Sequence, residues 1–384
     1  MASTYSFRGS QSVISATAYD LNNLKAESLP ASGLSDILIF PYPFDSAAVA
    51  LWRRCVTTTG SFTHGMDPDF ILPFLEIDED AVRARLILSV VDGNCEAAVV
   101  VVPDKSALYP DRCWQLFSHD HIDVSGFTRP QVGHNRDSIF DLASAGLAQE
   151  GKKLSRLLLP KMQCLDPGQL RSIRTGILHN AYFDFGAPVA YQVPTKMRNN
   201  NRRLRKKLIA RHGSLRLDVA PANMENMSVF FEIEASGWKG AAMTAINNNI
   251  PLRRAYLAVS RHKHALSRAH VFTLFAGDKA VSSAFGLVHP EYVSLLKIGF
   301  RQEFAEYSPG GLLTSEIIEY VRHSGRGKLY LSTFPVWAKR WKPASVEKEC
   351  RRVYAEGATG LCLWLFDNWS RLPARVSRLV SASG

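Results

Sequence analysis

Long apolar runs are absent from this chain of 384 residues. No stretch approaches the roughly 18 residues that a membrane-crossing helix requires, and the first residues carry neither the basic start nor the apolar core of an export signal. A cytoplasmic location is the resulting expectation. Cysteine is scarce and scattered. Cys55, Cys95, Cys113, Cys164, Cys350 and Cys362 form no C-x-x-C pair, which argues against a zinc cage or a disulfide framework. Acidic residues are missing between Lys196 and Arg211, the densest basic run of the chain. Aromatic residues are missing there too, which argues against a surface that stacks single-stranded bases.

The composition is that of a folded protein: 46% hydrophobic and 21% charged residues supply real cores, and the length favours two domains. A net charge of +11 favours an anionic partner without choosing among a nucleotide cofactor, tRNA, an acyl carrier protein or a membrane surface.

Residues 1–33 are rich in Ser and Ala without a sustained period and are expected to form a flexible arm. A mixed α/β domain follows over 34–194. It opens with a strand at DILIF and a helix capped at Asp45. Two strands joined at Asp92-Gly93-Asn94 form a hairpin, and WQLFSHDHIDVSGF reads as a further strand. A helix is expected from Asp137 to about Lys153, then a strand at RLLLPKMQC, a helix opened by Asp166-Pro167, and a closing strand pair in AYFDFGAPVAYQV. The basic run after Pro194 marks a boundary, with a second domain of similar element order over 195–384. Its last segments, VEKECRRVYAEG and GLCLWLFDN, read as helix and strand. Each half is expected to build its own mixed sheet, with a cleft between them.

The most informative segment is Tyr292 to Arg326, which reads strand, loop, Ser-Pro-Gly-Gly, helix. Ser308 suits the N-cap and Pro309 the first turn. Gly310 and Gly311 let a ligand approach the backbone. Free amides of Gly310, Gly311 and Leu312 at the positive end of a helix dipole would hold a phosphate or pyrophosphate, with Lys297 near the end of the preceding strand. An ordinary capped helix is the plain alternative.

At these residues the chain resembles a known family. The segments EASGWKG with Thr244 (from Glu234), LKIGF (Leu296 to Phe300), FAEYSPGGLL (Phe304 to Leu313) and VWAKRW (Val336 to Trp341) resemble the GNAT-related acyltransferases with a duplicated domain. These include CelD-like proteins of bacterial exopolysaccharide and cellulose clusters and are distant relatives of the Fem-type aminoacyltransferases. The resemblance implies an α/β (α+β) fold of tandem GNAT-like domains, each a central mixed sheet flanked by helices. It also implies an acetyltransferase-like enzyme that moves an acyl or aminoacyl group from a thioester or ester carrier to an amine or hydroxyl, the leading case being transfer from acyl-CoA, as co-substrate, or from an acyl carrier protein to a small-molecule or peptide amine.

Two departures stand beside it. The usual phosphate loop, Arg or Gln then x-x-Gly-x-Gly/Ala, is missing, so Ser308 to Leu312 must replace it. Arg301 follows Phe300 where many relatives place an acid.

Amine attack on a thioester needs a base, an oxyanion donor and good placement. Glu234, Glu303 and His289 are the candidate bases, and no spacing rule separates them. Trp238, Lys239, His121, Asp123 and Lys339 are candidate acceptor contacts, each with a bland reading as a packing or solvated side chain. His119, His121 and Asp123 alternate as metal ligands on one face would, but no further ligand cluster supports a metal, and none is expected. The rival functions for the chain are a Fem-like aminoacyltransferase using aminoacyl-tRNA and a non-catalytic exopolysaccharide-cluster or nucleic-acid-binding protein. The basic run reads as a solvated helix face seamed by Leu204 and Leu208, or as a seat for tRNA, a carrier protein or anionic lipid. Its distance in sequence from Ser308 suggests that reversing Arg202, Arg205 and Lys206 would spare acyl-CoA turnover.

Overall fold

The computed structural model describes residues 36–58, 65, 67–107, 109–122, 127–128, 136–163, 168–237, 240, 242–261 and 267–369. The expected arm at 1–33 lies outside them. The first half contributes β1 (Asp36–Pro41), α1 (Ser46–Thr58), α2 (Pro68–Leu75), β2 (Arg85–Val91), β3 (Asn94–Pro103), β4 (Cys113–Leu116), β5 (Phe127–Thr128), α3 (Arg136–Gln149), β6 (Arg156–Gln163) and β7 (Ser172–Asp184). The second contributes α4 (Thr195–His212), β8 (Leu215–Pro221), α5 (Met224–Ala235), α6 (Ile250–Arg261), β9 (Arg268–Ala276), β10 (Lys279–Val288) and β11 (Tyr292–Phe300), then α7 (Pro309–His323), β12 (Lys328–Leu331), β13 (Ala344–Tyr354) and α8 (Ala358–Trp369).

The mixed α/β class holds, with helices flanking the strands. Two separate sheets do not form. The described strands join one sheet in the order β1-β2-β3-β4-β6-β13-β7-β12-β11-β10-β9-β8, with β5 against β3. The cause is β13, which crosses from the second half and runs antiparallel to both β6 and β7. Among the described residues only β4 with β6 and β11 with β12 pair in parallel.

Several local expectations fail, each for its own reason. β13 carries Glu347, Glu349, Arg351 and Arg352, a charge pattern that mimics an exposed helix. Its charges pair across strands, as in Arg174 Nη1 to Glu349 Oε1 at 3.3 Å. The apolar run GLCLWLFDN is α8, not a strand; a short apolar run carries no period that separates the two. No helix spans 168–184, because β7 begins at Ser172, and residues 185–193 form no second strand. The strand at WQLF stops at Leu116, so His119 and His121 stand on a turn. The hairpin is as expected, with Asp92 and Gly93 at φ of 48° and 73°.

Among the described residues, four apolar clusters stabilise the layers. The largest gathers α1, α2, α5 and α6 between the two ends of the sheet, with Trp52, Phe74, Phe230, Tyr256 and Leu296 buried together. There α2 packs directly on α6 and joins the halves. A second cluster lies on the opposite face of the second half under α4 and α7, and a third under α3. The fourth holds α8, whose Asp367 accepts from Arg156 at 2.9 Å and from the Tyr354 hydroxyl at 2.6 Å. Arg156 also reaches Asp104 at 2.8 Å.

Arg156, Asp104 and Asp367 are all buried, so removing the guanidinium takes the cation from Asp104 and leaves Asp367 with Arg352, at 3.2 Å, as its charged partner. Arg156→Ala is expected to cost about 3–5 kcal/mol in urea denaturation. Arg174→Ala, which removes a half-exposed cation, should cost less than about 1 kcal/mol. Equal losses in the two variants would contradict this account.

Candidate active site at the parting of two strands

β11 is the strand on which the site is built. Its pairing with β12 covers only Tyr292 to Leu295 against Lys328 to Leu331. Beyond that, Ser332 closes the pair, its amide donating to the Leu295 carbonyl at 3.1 Å and its hydroxyl to the Leu296 carbonyl at 3.1 Å. From Lys297 to Phe300, β11 has β10 on one flank and, among the described residues, no strand on the other.

At the parting point the ladder slips. Phe285 faces Lys297 and Gly286 faces Leu295, which leaves Leu296 as an extra residue, a β-bulge. Gly286 is required opposite it, because a Cβ there would lie 2.7 Å from the Ser294 carbonyl oxygen. The bulge resets which face each side chain takes. Leu295 and Ile298 pack in the cluster under α7, while Leu296 belongs to the cluster between the halves. Strand alternation on either side of the bulge then puts Lys297 on the inter-half face as well.

Lys297 meets a group of aromatic and basic side chains there. The His121 Nδ1 and the Tyr256 hydroxyl are 2.7 Å apart, and the rings of Phe74, His119 and His121 pack together with Tyr256. Lys161, at a φ of 52°, donates to the carbonyls of His119 and Ile122 at 2.6 and 2.8 Å and holds the turn in place. Burial pushes the His119 imidazole below its usual value; Lys161 and Lys297 add to the shift, against Asp120 and Asp78. The His119 Nδ1 accepts the His121 amide at 3.2 Å, which places its proton on Nε2. Burial beside the Glu234 charge raises the Tyr256 phenol, so it stays protonated.

On the opposite face, α7 begins beside the end of β11. Ser308 is left-handed, with a φ of 52°, and its side chain makes no cap bond. The amides of Gly311 and Leu312 donate to the Ser308 carbonyl at 2.9 and 3.1 Å, and the Leu312 side chain is buried. Among the described residues the Gly310 amide alone of the three has no recorded acceptor. A Cβ on Gly310 would meet only the Phe300 ring, at 3.6 Å.

The sequence candidates divide accordingly. Lys297 and His121 come together, and Glu234 lies just behind them, buried on α5 with Oε2 accepting the Ile246 amide at 3.0 Å. His289 sits at the other end of β11, stacked on Tyr292 at 4.4 Å, so the length of a strand separates it from Gly310. Glu303 is exposed and lines a shallow depression of about 350 Å³ with Arg301 and Lys279. Lys339 is exposed on a turn whose Trp341 packs under α7, on the face away from His121. Trp238, Lys239 and Asp123 lie outside the described residues. Ser236, just before Trp238, donates from its hydroxyl to the Phe300 carbonyl at 3.0 Å.

Sequence reasoning missed Tyr256, Lys161, His119 as a partner of Lys297, and the neighbourhood of α4. Far from standing apart, α4 packs on α7, with Arg205 paired to Glu316. Among the described residues no group of three His, Cys, Asp or Glu converges on a metal-sized site, and no helix is long and apolar enough to cross a membrane.

Residues 195–342 match the family model for the acetyltransferase (GNAT) domain. No curated protein matches the chain by sequence. Among solved structures, FemX is similar at 12% identity with a TM-score of 0.55, covering 83% of this chain and 98% of its own. A tandem GNAT protein from the clavulanic acid biosynthesis pathway is similar at 14% identity and a TM-score of 0.44, covering 84% and 99%. L-PGS from Bacillus licheniformis is similar at 12% and 0.43, covering 78% and 95%.

His119 and His289, whose imidazole burial likewise depresses, have a consequence for pH. Both take up protons in the unfolded chain first, near the usual value of about 6.5, so the folded state loses stability as pH falls through that range. His119→Gln combined with His289→Gln should flatten the fall of melting temperature below about pH 6.5. An unchanged slope would count against it.

Proposed function

Because residues 195–342 match the acetyltransferase (GNAT) domain model, we propose that this chain is a GNAT-type acyltransferase that transfers an acyl group from acyl-CoA to an amine acceptor. The observation that carries the reading is the parting of β11 from β12 beside a helix start whose Gly310 amide is unengaged. The amide-bearing arm of coenzyme A suits the flank of β11 away from β10, where it pairs as an added strand would. Its pyrophosphate then lies against Gly310 at the positive end of α7. The thioester passes through the gap to the face that holds Lys297, His119 and His121.

On that face the acceptor nitrogen attacks the thioester carbon. A C–N bond forms as the C–S bond breaks, and the departing thiolate takes up a proton. We assign proton removal from the amine to His121, whose Nδ1 lies 2.7 Å from the Tyr256 hydroxyl; with Nδ1–H donating there, Nε2 is the basic nitrogen of the ring. The Nε2 proton of His119 and the ammonium of Lys297 supply positive charge beside the carbonyl oxygen. Glu234 supports this arrangement from behind Tyr256. Residues 34–194 thereby shape the acceptor side and residues 195–384 the donor side, in the cytoplasm.

A second reading, aminoacyl transfer from tRNA, draws on α4, which exposes every Lys and Arg between Lys196 and Arg211. It predicts tRNA binding that weakens steeply with salt, by about 0.9 or less in the logarithmic slope per phosphate contact.

Two variants test the first reading. Gly310→Asp places a carboxylate where the pyrophosphate is proposed, at a position with room for a Cβ; coenzyme A affinity by calorimetry should fall at least about tenfold with the fold intact. Unchanged affinity removes the donor site. His121→Ala should lower kcat by about 10²-fold while donor affinity stays the same, and full turnover in this variant would move the base elsewhere.

A further inference from the structure

α4 is a basic helix with a narrow buried seam of Asn201, Leu204 and Leu208. Asn201 is the anomaly in it. Only 6% exposed, it has a side-chain Nδ2 without a hydrogen-bond partner. A buried donor of this kind is costly to leave unsatisfied. Its Oδ1 lies 4.0 Å from where a Cβ on Gly311 would stand, so the carboxamide is set against the first turn of α7, beside the unengaged Gly310 amide.

The charges around Asn201 are ordered. Successive helix residues turn by about 100°, so Arg198, Arg202 and Arg205 form one stripe along the flank next to Asn201. Arg205 pairs with Glu316 on α7, which identifies this flank as the one turned toward α7. Asn201 stands level with Gly311 and Arg205 with Glu316. Moving back along α4 therefore leads toward the start of α7 and past it. Arg202 falls at the first turn and Arg198 one turn beyond. Both are exposed, and among the described residues neither has an acidic partner. Arg203 and Lys207 lie on the far side of the helix.

We infer that this stripe reads a phosphomonoester on the nucleotide end of the donor, the group that distinguishes coenzyme A from its dephosphorylated form. Arg202 and Arg198 are its ligands, and Asn201 seats the neighbouring pyrophosphate beside Gly310. The inference rests on the acyl-CoA reading above. Guanidinium groups suit the task because they meet phosphate oxygens through two parallel N–H donors, and a monoester carries more charge than either bridging phosphate.

Calorimetry with coenzyme A and dephospho-coenzyme A distinguishes the outcomes, on the parent chain, on Arg198→Ala/Arg202→Ala, and on Arg203→Ala/Lys207→Ala. The parent should prefer coenzyme A by about tenfold or more. The first variant should bind both alike, with its affinity for dephospho-coenzyme A unchanged, and the second should keep the parent's preference. All three are expected to melt alike, since every altered side chain is exposed. A preference retained in the first variant, or lost equally in the second as a diffuse positive field or a macromolecular polyanion would require, overturns the inference. A parent that binds both nucleotides equally overturns the inference alone. A parent that binds neither overturns the acyl-CoA reading and the inference with it.

Discussion

One extra residue in β11 sets the phase of the whole site. Without the bulge at Leu296, strict alternation would turn Lys297 toward the cluster under α7, away from His119 and His121. The bulge also lies where β12 leaves, so the position that re-aims the lysine is the position where the sheet opens. Gly286 opposite the bulge and Gly299 farther along serve the same end. A Cβ on Gly299 would come within 2.7 Å of the Glu234 Cα, so its absence lets α5 settle onto the strand and brings Glu234 close to Tyr256.

The two faces of the sheet thus carry different chemistry. Under α4 and α7 the surroundings are helix-start amides and guanidinium groups, suited to phosphates. Between the halves they are imidazoles, a phenol and an ammonium, suited to moving a proton and steadying a carbonyl oxygen. The large apolar cluster of α1, α2, α5 and α6 holds these faces in register, because α2 supplies Phe74 and α6 supplies Tyr256 to the same group of rings.

Legibility in the sequence followed locality. The Asp92-Gly93 hairpin, the strand before Ser308 and the helix after Pro309 all carry their signals within a few residues, and all formed. Ser308 itself did not cap its helix. Its left-handed backbone turns the hydroxyl aside, and its carbonyl takes up two of the three amides expected to be free. Tyr256 gave no signal, since an aromatic on an amphipathic helix reads as core until its partner, 135 residues away in sequence, is known. The same holds for α4 and α7, whose contact joins Arg205 and Glu316 across 111 residues. β13 and α8 misled for a different reason: a charged strand in mid-sheet and an apolar helix tied down by one buried carboxylate invert the patterns by which strand and helix are usually told apart.

The path of β13 bears on how the protein is made. A chain emerging from the ribosome has β6 and β7 long before it has residues 344–354, and until then these two strands have no neighbour to bridge them. The sheet that joins the two halves is therefore complete only once residues 344–354 have emerged and β13 fills the place between β6 and β7.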